Sequence, residues 1–325
     1  MINNIDKNYD VVILTYKPSD ILIDSLKMLL MQHLTPNNII IYNTDKDLFL
    51  KNITNAELLL NLINDKNNNI SVYHIDKKEF DHGRTRNIAF SKTSSKYVLF
   101  MTDDAVPYDD MLAENLIDGF YEYNDNLSKV AMTYARQIAK DNAKFTEKLI
   151  REYNYPDYDI IKDKSKEKIL GIKNYFCSNV CAMYDRDIFM KCGMFHENLI
   201  LNEDTFFIYD AINNGYKVIY KSNAKIYHSH NYTYKEQFSR NFDIGVSQKE
   251  KEEIFKNISS EKEGIKLIKF VTLNLLKKCK FISIIDFYIE CCYRYFGFKA
   301  GKNFDKLSND LCIKYANNKN YFIKK

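Results

Sequence analysis

The sequence predicts an α/β fold with a mostly parallel central sheet flanked by helices, followed by a C-terminal helical region. Short β-prone apolar runs alternate with helical stretches through the first half of the chain, as in layered α/β proteins. These runs are almost continuously apolar, as expected when both faces of a parallel sheet are covered. Beyond about residue 250 the chain shows only helical periodicity and many lysines. We therefore divide it into an α/β domain over residues 1–250 and a basic amphipathic helical region over residues 251–325.

The first half of the chain contains four predicted strands and four predicted helices. Val11 to Leu14 form the first strand, and Ser19 or Asp20 caps the helix that follows at 21–32. The later elements are a strand in NIIIYNTD (38–45), a helix over 52–66, a strand in ISVYHI (70–75), a helix in TRNIAFSKTSS (85–95), a strand in KYVLFMTDDA (96–105) and a helix over 111–125.

The second half is denser in structure signals after a weak segment. VAMTYARQIAK (130–140) predicts another strand, and the charged, tyrosine-rich residues from about 140 to 170 predict a mobile connector. Residues 174–232 then predict a strand, a helix, a turn at Gly193, a second helix, a turn at Gly215 and two strands.

Composition excludes several classes of function. The chain has 325 residues, and its 47 Lys and Arg are nearly balanced by 43 Asp and Glu, which does not favour a nucleic-acid partner. Seven cysteines without a Cys-x-x-Cys pair indicate a reducing compartment rather than a disulfide framework. The polar N-terminus does not resemble a signal peptide, and no apolar run is long enough to span a bilayer. We expect a cytoplasmic protein, or one that touches the inner face of the plasma membrane.

Polar residues that follow the predicted strands should meet at one edge of the sheet. In parallel sheets ligands bind beyond the carboxyl ends of the strands. Thr15, Asn43, the Arg84/Arg86 block and Asp103–Asp104 would converge there. Two aspartates at a strand end suit Mg²⁺ or Mn²⁺, although they could equally cap the next helix.

A second acidic pair, Glu203–Asp204, precedes an aromatic helix face in LNEDTFF. Its simplest interpretation is negative charge at a helix N-terminus. Its functional interpretation is a general base, since a carboxylate beside phenylalanines has a raised pKa. His228 and His230 lie two residues apart in YHSHNY, hence on one face of a strand. A zinc site of Cys177, Cys181 and His196 is a weaker alternative, because the spacing fits no zinc pattern.

The order of these motifs resembles the GT-A-fold family 2 glycosyltransferases. The resemblance runs over about residues 9–248, with a weaker echo in YRYFGFKAGKNFDKL near the C-terminus. More narrowly, FDHGRTRN, FCSNVCAMY and QFSRNFDIGV resemble the bacterial rhamnosyltransferase branch. The resemblance implies inverting transfer of a sugar, rhamnose or a similar deoxysugar, from a dTDP-rhamnose-like or UDP-sugar donor. The implied acceptor is a cell-surface glycan or lipid-linked saccharide.

The resemblance also implies roles for individual residues. TDDA stands at the family's Asp-x-Asp metal motif with Thr102 in the first position, which makes Asp104 the firmer ligand and leaves the metal requirement open. Asp204 matches the catalytic base, and Glu203 orients the acceptor. The implied metal ligands are Asp103, Asp104 and His228. The implied site for the donor nucleotide and diphosphate comprises Thr15, Tyr16, Asn43, Asp45, Asp81, His82, Gly83, Arg86 and Asp103. The implied acceptor or sugar site comprises Ser178, Asn179 and His230. In this interpretation Gly83 admits the donor close to the backbone, and Arg86 contacts its diphosphate.

Two alternatives remain from other classes. A metal-dependent nucleotidyltransferase or hydrolase also needs carboxylates at strand ends, but the first strand lacks a glycine-rich phosphate loop. A non-catalytic carbohydrate-binding module would suit the tyrosine content, although it would not need an acid, base and metal set. The C-terminal helices could either pack on the first domain or rest on an anionic membrane; these two roles are compatible. The sequence leaves the oligomeric state undetermined.

Overall fold

A mixed nine-stranded sheet forms the centre of the computed structural model, which describes residues 6–125, 128–255 and 260–324. The strands are β1 (Tyr9–Tyr16), β2 (Ile39–Thr44), β3 (Ile70–Ile75), β4 (Tyr97–Thr102), β5 (Val106–Pro107), β6 (Val130–Ile138), β7 (Ile160–Lys162), β8 (Cys181–Asp185) and β9 (Lys217–Tyr227).

Helices cover both faces of this sheet and make up the C-terminal region. They are α1 (Ile21–Leu30), α2 (Ala56–Asn64), α3 (His82–Phe90), α4 (Leu112–Tyr123), α5 (Phe145–Asn154), α6 (Glu167–Leu170), α7 (Arg186–Lys191), α8 (Glu203–Asn213), α9 (Tyr234–Glu250), α10 (Glu252–Phe255), α11 (Ser260–Lys277), α12 (Phe281–Lys302), α13 (Asn309–Tyr315) and α14 (Lys319–Ile323).

The sheet is parallel in its first half and mixed in its second. The strand order is β3-β2-β1-β4-β8-β6-β9-β5, with β7 also paired to β9. The four strands from β3 to β4 are parallel, as the alternating pattern predicts, and β8 then runs antiparallel to β4 and β6. Alternate residues of β1 enter different cores: Val11 and Ile13 pack with α1, α2 and α4, whereas Val12 and Leu14 pack with α3, α7 and α8.

Two sequence-based expectations are wrong. Residues 140–170 are not a structureless connector, because they contain α5, β7 and α6. Leu149 and Ile150 of α5 are buried against Val271, Leu275 and Phe287 of the C-terminal helices, which is a long-range stabilisation that local periodicity does not reveal. The two strands predicted after Gly215 are one long strand, β9, whose register with β6 shifts after Ala135.

The C-terminal helices pack on the sheet-containing part of the chain through shared cores. Phe242 and Val246 of α9 are buried with Cys312, Ala316 and Phe322. Helix α12 lies tightly along α9, since a Cβ at its Gly297 or Gly301 would overlap the α9 backbone. The division into domains at residue 250 stays a prediction. Within the described ranges, no helix has the length and apolar character needed to cross a bilayer.

Candidate active site

A cavity of about 560 Å³ brings together residues from distant parts of the chain. Thr102 at the end of β4 lines it together with residues of α3, α5, α8, α9 and α12, the segment before β8 and the segment after β9. Its charged and imidazole side chains are His82, Arg86, Glu147, Arg151, Glu203, Asp204, His228, His230, Arg240, Asp243 and Arg294.

Asp104, His228 and His230 form a candidate metal site. Their ligand atoms lie within 4.8 Å of one another, and within the described parts of the chain they are the one group of three or more such side chains. Oδ2 of Asp104 lies 3.4 Å from Nε2 of His228 and 3.1 Å from Nε2 of His230. Because β9 ends at Tyr227, both histidines lie on the segment that leaves this strand.

Residues behind the cluster orient His228. Its Nδ1 lies 2.9 Å from Oε1 of Gln137, which also accepts a hydrogen bond from Arg151, so the imidazole nitrogen must be the donor. The other ring nitrogen then faces Asp104 and His230 with its lone pair, as in metal ligands whose second nitrogen is bonded to the protein. Burial lowers the pKa of His228 to about 4 and keeps the ring neutral. A carboxylate oxygen and the Nε2 lone pair of His228 thus converge beside Nε2 of His230, a set of ligand atoms that fits a cation.

The structure changes the predicted membership of this cluster. His230, assigned from the sequence to the acceptor or sugar site, lies in the metal cluster, where its Nε2 is 3.0 Å from that of His228. Asp103 is not a member. Burial and the neighbouring charge of Asp104 raise the pKa of Asp103 to about 7, and the carboxyl group accepts a hydrogen bond from the backbone of Tyr16.

The acidic pair of α8 lies in the same cavity, at the first turn of the helix. The carboxylate of Asp204 accepts hydrogen bonds from the backbone N–H of Asn179 at 3.1 Å and of Thr205 at 2.7 Å. Glu203 is buried and accepts a 3.0 Å hydrogen bond from the side chain of Asn179. Asn179 is itself held by the hydroxyl of Tyr184, which donates to it at 2.6 Å.

The environments of the two carboxylates move their pKa values in opposite directions. Burial and the charge of Glu203 raise the pKa of Asp204 to about 6. Burial, the largest single influence, would raise the pKa of Glu203 as well, but the positive charge of Arg86, the other nearby positive charge and the hydrogen bonds to the carboxylate together outweigh it and lower that pKa. Glu203 therefore stays ionised at neutral pH, whereas Asp204 can exchange a proton there.

Arg86, which the sequence predicts to contact the diphosphate, lines the cavity and is bonded there to other protein groups. Its Nη1 lies 3.0 Å from Oε1 of Glu203 and 3.1 Å from the carbonyl oxygen of His82, and both charged side chains are less than 10% exposed. The guanidinium is therefore engaged in a buried ion pair that fixes the charge of Glu203. His82 itself lines the cavity, and burial lowers its pKa.

The rest of the FDHGRTRN block caps helix α3 and packs it against a neighbouring segment. Asp81 is the N-cap of α3 and accepts a 2.8 Å hydrogen bond from the N–H of Arg84, so the helix begins three residues earlier than predicted. A Cβ at Gly83 would lie 1.9 Å from the carbonyl oxygen of His196. Gly83 thus permits close packing of two protein segments, and neither it nor Asp81 lines the cavity.

Four of the predicted nucleotide-binding residues, Thr15, Tyr16, Asn43 and Asp45, lie at the carboxyl ends of β1 and β2. Thr15 donates to Oδ1 of Asn43 at 2.9 Å, and the amide nitrogen of Asn43 lies 3.0 Å from the backbone oxygen of Asp45. The same nitrogen lies 3.0 Å from Nδ1 of His74. Asn43 is fully buried and already bonded at both amide atoms, so it shapes this edge from within, whereas Tyr16 is 44% exposed.

The segment before β8 supports the acidic pair. Ser178 and Asn179 line the cavity as predicted for an acceptor site. The alternative zinc interpretation has no support in the described residues: Cys177 and Cys181 are buried with raised thiol pKa values, and His196 lies 2.6 Å from Asp210.

Among the cavity-lining residues that the sequence did not predict are three charged ones, Arg240, Asp243 and Arg294. Arg240 stacks on the ring of Tyr232 at 4.8 Å and forms no ion pair with an acid of the described chain. Asp243, three residues later, accepts hydrogen bonds from the backbone N–H of Asn317 and Asn318, which brings the C-terminus to the cavity. Both residues lie in the QFSRNFDIGV motif, so the family resemblance of that motif could have indicated them. Arg294 of α12 is the third, and only tertiary packing reveals it.

Comparisons with known proteins agree with this geometry. The sequence model of Glycosyl transferase family 2 matches residues 10–193. The O-antigen chain rhamnosyltransferase RfbN of Salmonella typhimurium is 35% identical over 256 residues, 78% of this chain and 80% of the relative. The O-antigen chain rhamnosyltransferase WbaN of Salmonella anatum is 33% identical over 282 residues, 86% of this chain and 87% of the relative.

Solved structures confirm the fold. Residues 1–349 of TarS from S. aureus superpose with a TM-score of 0.55 at 14% identity, covering 98% of this chain and 80% of that one. The mannosyltransferase PcManGT from Pyrobaculum calidifontis, in complex with GDP-Man and Mn²⁺, gives a TM-score of 0.53 at 11% identity, covering 90% and 84%. The predicted GT-A fold is confirmed, and the chain belongs to glycosyl transferase family 2.

Proposed function

We propose that this enzyme transfers rhamnose, or a similar deoxysugar, from a nucleotide-diphosphate donor to a hydroxyl of a cell-surface glycan or lipid-linked saccharide. The proposal includes inversion at the anomeric carbon. Its choice of sugar is supported by two rhamnosyltransferases, to which the chain is 35% and 33% identical over the aligned residues. The observation that carries it is one cavity lined by Asp204 and, separately, by His228 and His230.

Asp204 is the proposed general base. A group with a pKa near 6 is deprotonated at neutral pH and is still basic enough to accept a proton from an acceptor hydroxyl. The two backbone N–H groups that bind this carboxylate hold it in position. Glu203, fixed by Arg86 and Asn179, supplies the neighbouring negative charge that raises the pKa of Asp204.

The Asp104, His228 and His230 cluster would hold a divalent cation. One carboxylate oxygen and two imidazole nitrogens fit Mn²⁺ better than Mg²⁺, which prefers an all-oxygen shell. When bound, the cation would neutralise charge that develops on the leaving nucleoside diphosphate. Arg240, which has no acidic partner in the described chain and stacks on Tyr232 beside His230, would add positive charge on the same side of the cavity. It replaces Arg86 as the proposed diphosphate ligand.

Nucleotide release from a panel of nucleotide sugars tests the proposal. We expect release from a deoxysugar donor such as dTDP-rhamnose, dependent on a saccharide acceptor and stimulated by Mn²⁺. Asp204→Asn should abolish release while donor binding, measured by calorimetry, persists. Asp187→Asn, a matched change on an exposed residue of α7, should behave like the unmodified enzyme.

The same assay separates the alternatives. Release that does not depend on any acceptor would indicate a hydrolase. Binding of a sugar without turnover would indicate a non-catalytic carbohydrate-binding module. Retention of configuration in the product would contradict the single-base mechanism, since that mechanism displaces the leaving group once from the opposite face.

A further inference from the structure

Helix α12 exposes a stripe of apolar side chains to solvent. Phe281, Ile282, Ile285, Tyr288, Ile289 and Phe296 recur at helical spacing and form one stripe, which we call the α12 outer face. Ile282 is 85% exposed, and Phe281, Ile285 and Phe296 are each more than 60% exposed. Leu273 and Leu276 of the preceding helix are also exposed. Scattered exposed apolar residues are ordinary, but a contiguous stripe of this kind marks an interaction surface.

The opposite side of α12 packs inside the protein, through the buried Phe287 and then through polar and small residues. Glu290 is buried and accepts a 2.9 Å hydrogen bond from Gln237 of α9. Gly297 and Gly301 allow the close approach to α9 described above. Helix α12 is therefore apolar on its exposed side as well as around Phe287, whereas farther along its inward side carries a charged residue and two glycines.

Basic residues surround the outer face. Lys277, Lys278 and Lys280 are exposed immediately before it, and Lys299 is exposed after it. Between residues 262 and 302 the chain has nine basic and three acidic residues, a net charge of +6. The three acids all bond with other protein groups: Glu263 with Lys173, Asp286 with Lys144 and Glu290 with Gln237.

We propose that the α12 outer face rests on the surface of an anionic lipid bilayer. An exposed apolar stripe with flanking lysines is the pattern of a helix that lies in the membrane interface, and each basic residue adds electrostatic attraction to anionic lipids. A second copy of the chain fits the surface less well. A twofold axis would bring the lysines at one end of the stripe against Lys299 or against their own copies, and like charges would repel.

The α12 outer face lies close to the cavity. Arg294, on the inner side of the same helix, lines the cavity. The cavity therefore lies about one helix diameter, roughly 10–12 Å, from the proposed lipid surface. This inference rests on the proposed function, because such proximity would serve an acceptor that is itself anchored in the bilayer.

Cosedimentation of the full chain with vesicles tests the surface. We expect binding to equimolar phosphatidylcholine and phosphatidylglycerol and much weaker binding to phosphatidylcholine alone. Ile282→Asp should lower binding by roughly tenfold or more, because it removes a side chain that would enter the interface. Ile169→Asp, a matched change at an isoleucine that is 76% exposed on α6, should leave binding unchanged. Replacing Lys277, Lys278 and Lys280 with Gln should lower binding on the order of 100-fold, at roughly fivefold per charge.

Three outcomes would overturn the inference: no binding to anionic vesicles, equal binding by Ile282→Asp and the unmodified chain, or a lipid-free dimer that Ile282→Asp dissociates. Nucleotide release with a water-soluble acceptor in lipid-free buffer separates this inference from the proposed function. Normal turnover without vesicle binding rejects the membrane surface alone. Vesicle binding without turnover of any donor rejects the proposed function alone.

Discussion

Replacing Arg86 with Gln tests whether this arginine binds the donor or holds the acidic pair. The change keeps a polar side chain but removes the positive charge 3.0 Å from Glu203, at a site where both side chains are less than 10% exposed. Breaking a buried ion pair by removing one partner typically costs about 3–5 kcal/mol, because the other charge stays buried without compensation. Asn179 and the N-terminus of α8 still stabilise Glu203, so we expect the free energy of unfolding to fall by about 3 kcal/mol, the lower end of this range.

Urea unfolding followed by circular dichroism measures this loss. The double variant Arg86→Gln/Glu203→Gln should recover most of it, since no uncompensated charge then remains; Glu203→Gln alone completes the cycle. Donor affinity of Arg86→Gln, measured by calorimetry, should stay within a few-fold of the unmodified enzyme, because Arg86 is already paired. Unchanged unfolding together with lost donor binding would refute this reasoning and restore Arg86 as a diphosphate ligand.

Three further predictions follow from the site and its surroundings. The proposed base acts when it is deprotonated, and the pKa of Asp204 is about 6. The rate of nucleotide release should therefore fall roughly tenfold for each pH unit below 6. A flat pH profile from pH 5 to 8 would contradict the assignment of Asp204 as the base. His230→Ala should weaken Mn²⁺ binding, measured by electron paramagnetic resonance, at least about tenfold, whereas Asp103→Asn, outside the cluster, should change Mn²⁺ affinity little. A larger loss of Mn²⁺ affinity in Asp103→Asn than in His230→Ala would reject the cluster as the metal site. Gly83→Ala should lower the free energy of unfolding by about 1–3 kcal/mol through overlap with a backbone oxygen. Gly264→Ala, with nothing within 4 Å, should instead stabilise the protein by up to about 1 kcal/mol, and equal effects of the two changes would contradict the packing argument.

Local patterns predicted most of the sheet and the residues at its edge. The apolar runs of β1 to β4 and the helices between them are visible because each depends on neighbours a few residues away. The same is true of the acids at the start of α8. The α3 boundary is misplaced because a histidine and a glycine follow the true cap, Asp81, and both are weak helix formers.

Residue pairs far apart in sequence decided the rest of the site. Arg86 meets Glu203, and Asp104 meets His230, each across more than a hundred residues. No local periodicity encodes such a pair, so the sequence did not reveal the buried ion pair between Arg86 and Glu203.

By itself the sequence determined the α/β class, the family resemblance and the types of side chain available for the site. These properties are local, since strand and helix periodicity and motif order are written along the chain. Only the tertiary structure decided which acid keeps its charge, which histidines converge on Asp104, and that α12 exposes an apolar stripe. Burial and pairing set pKa values and exposed surfaces, and both exist only after distant segments have packed together.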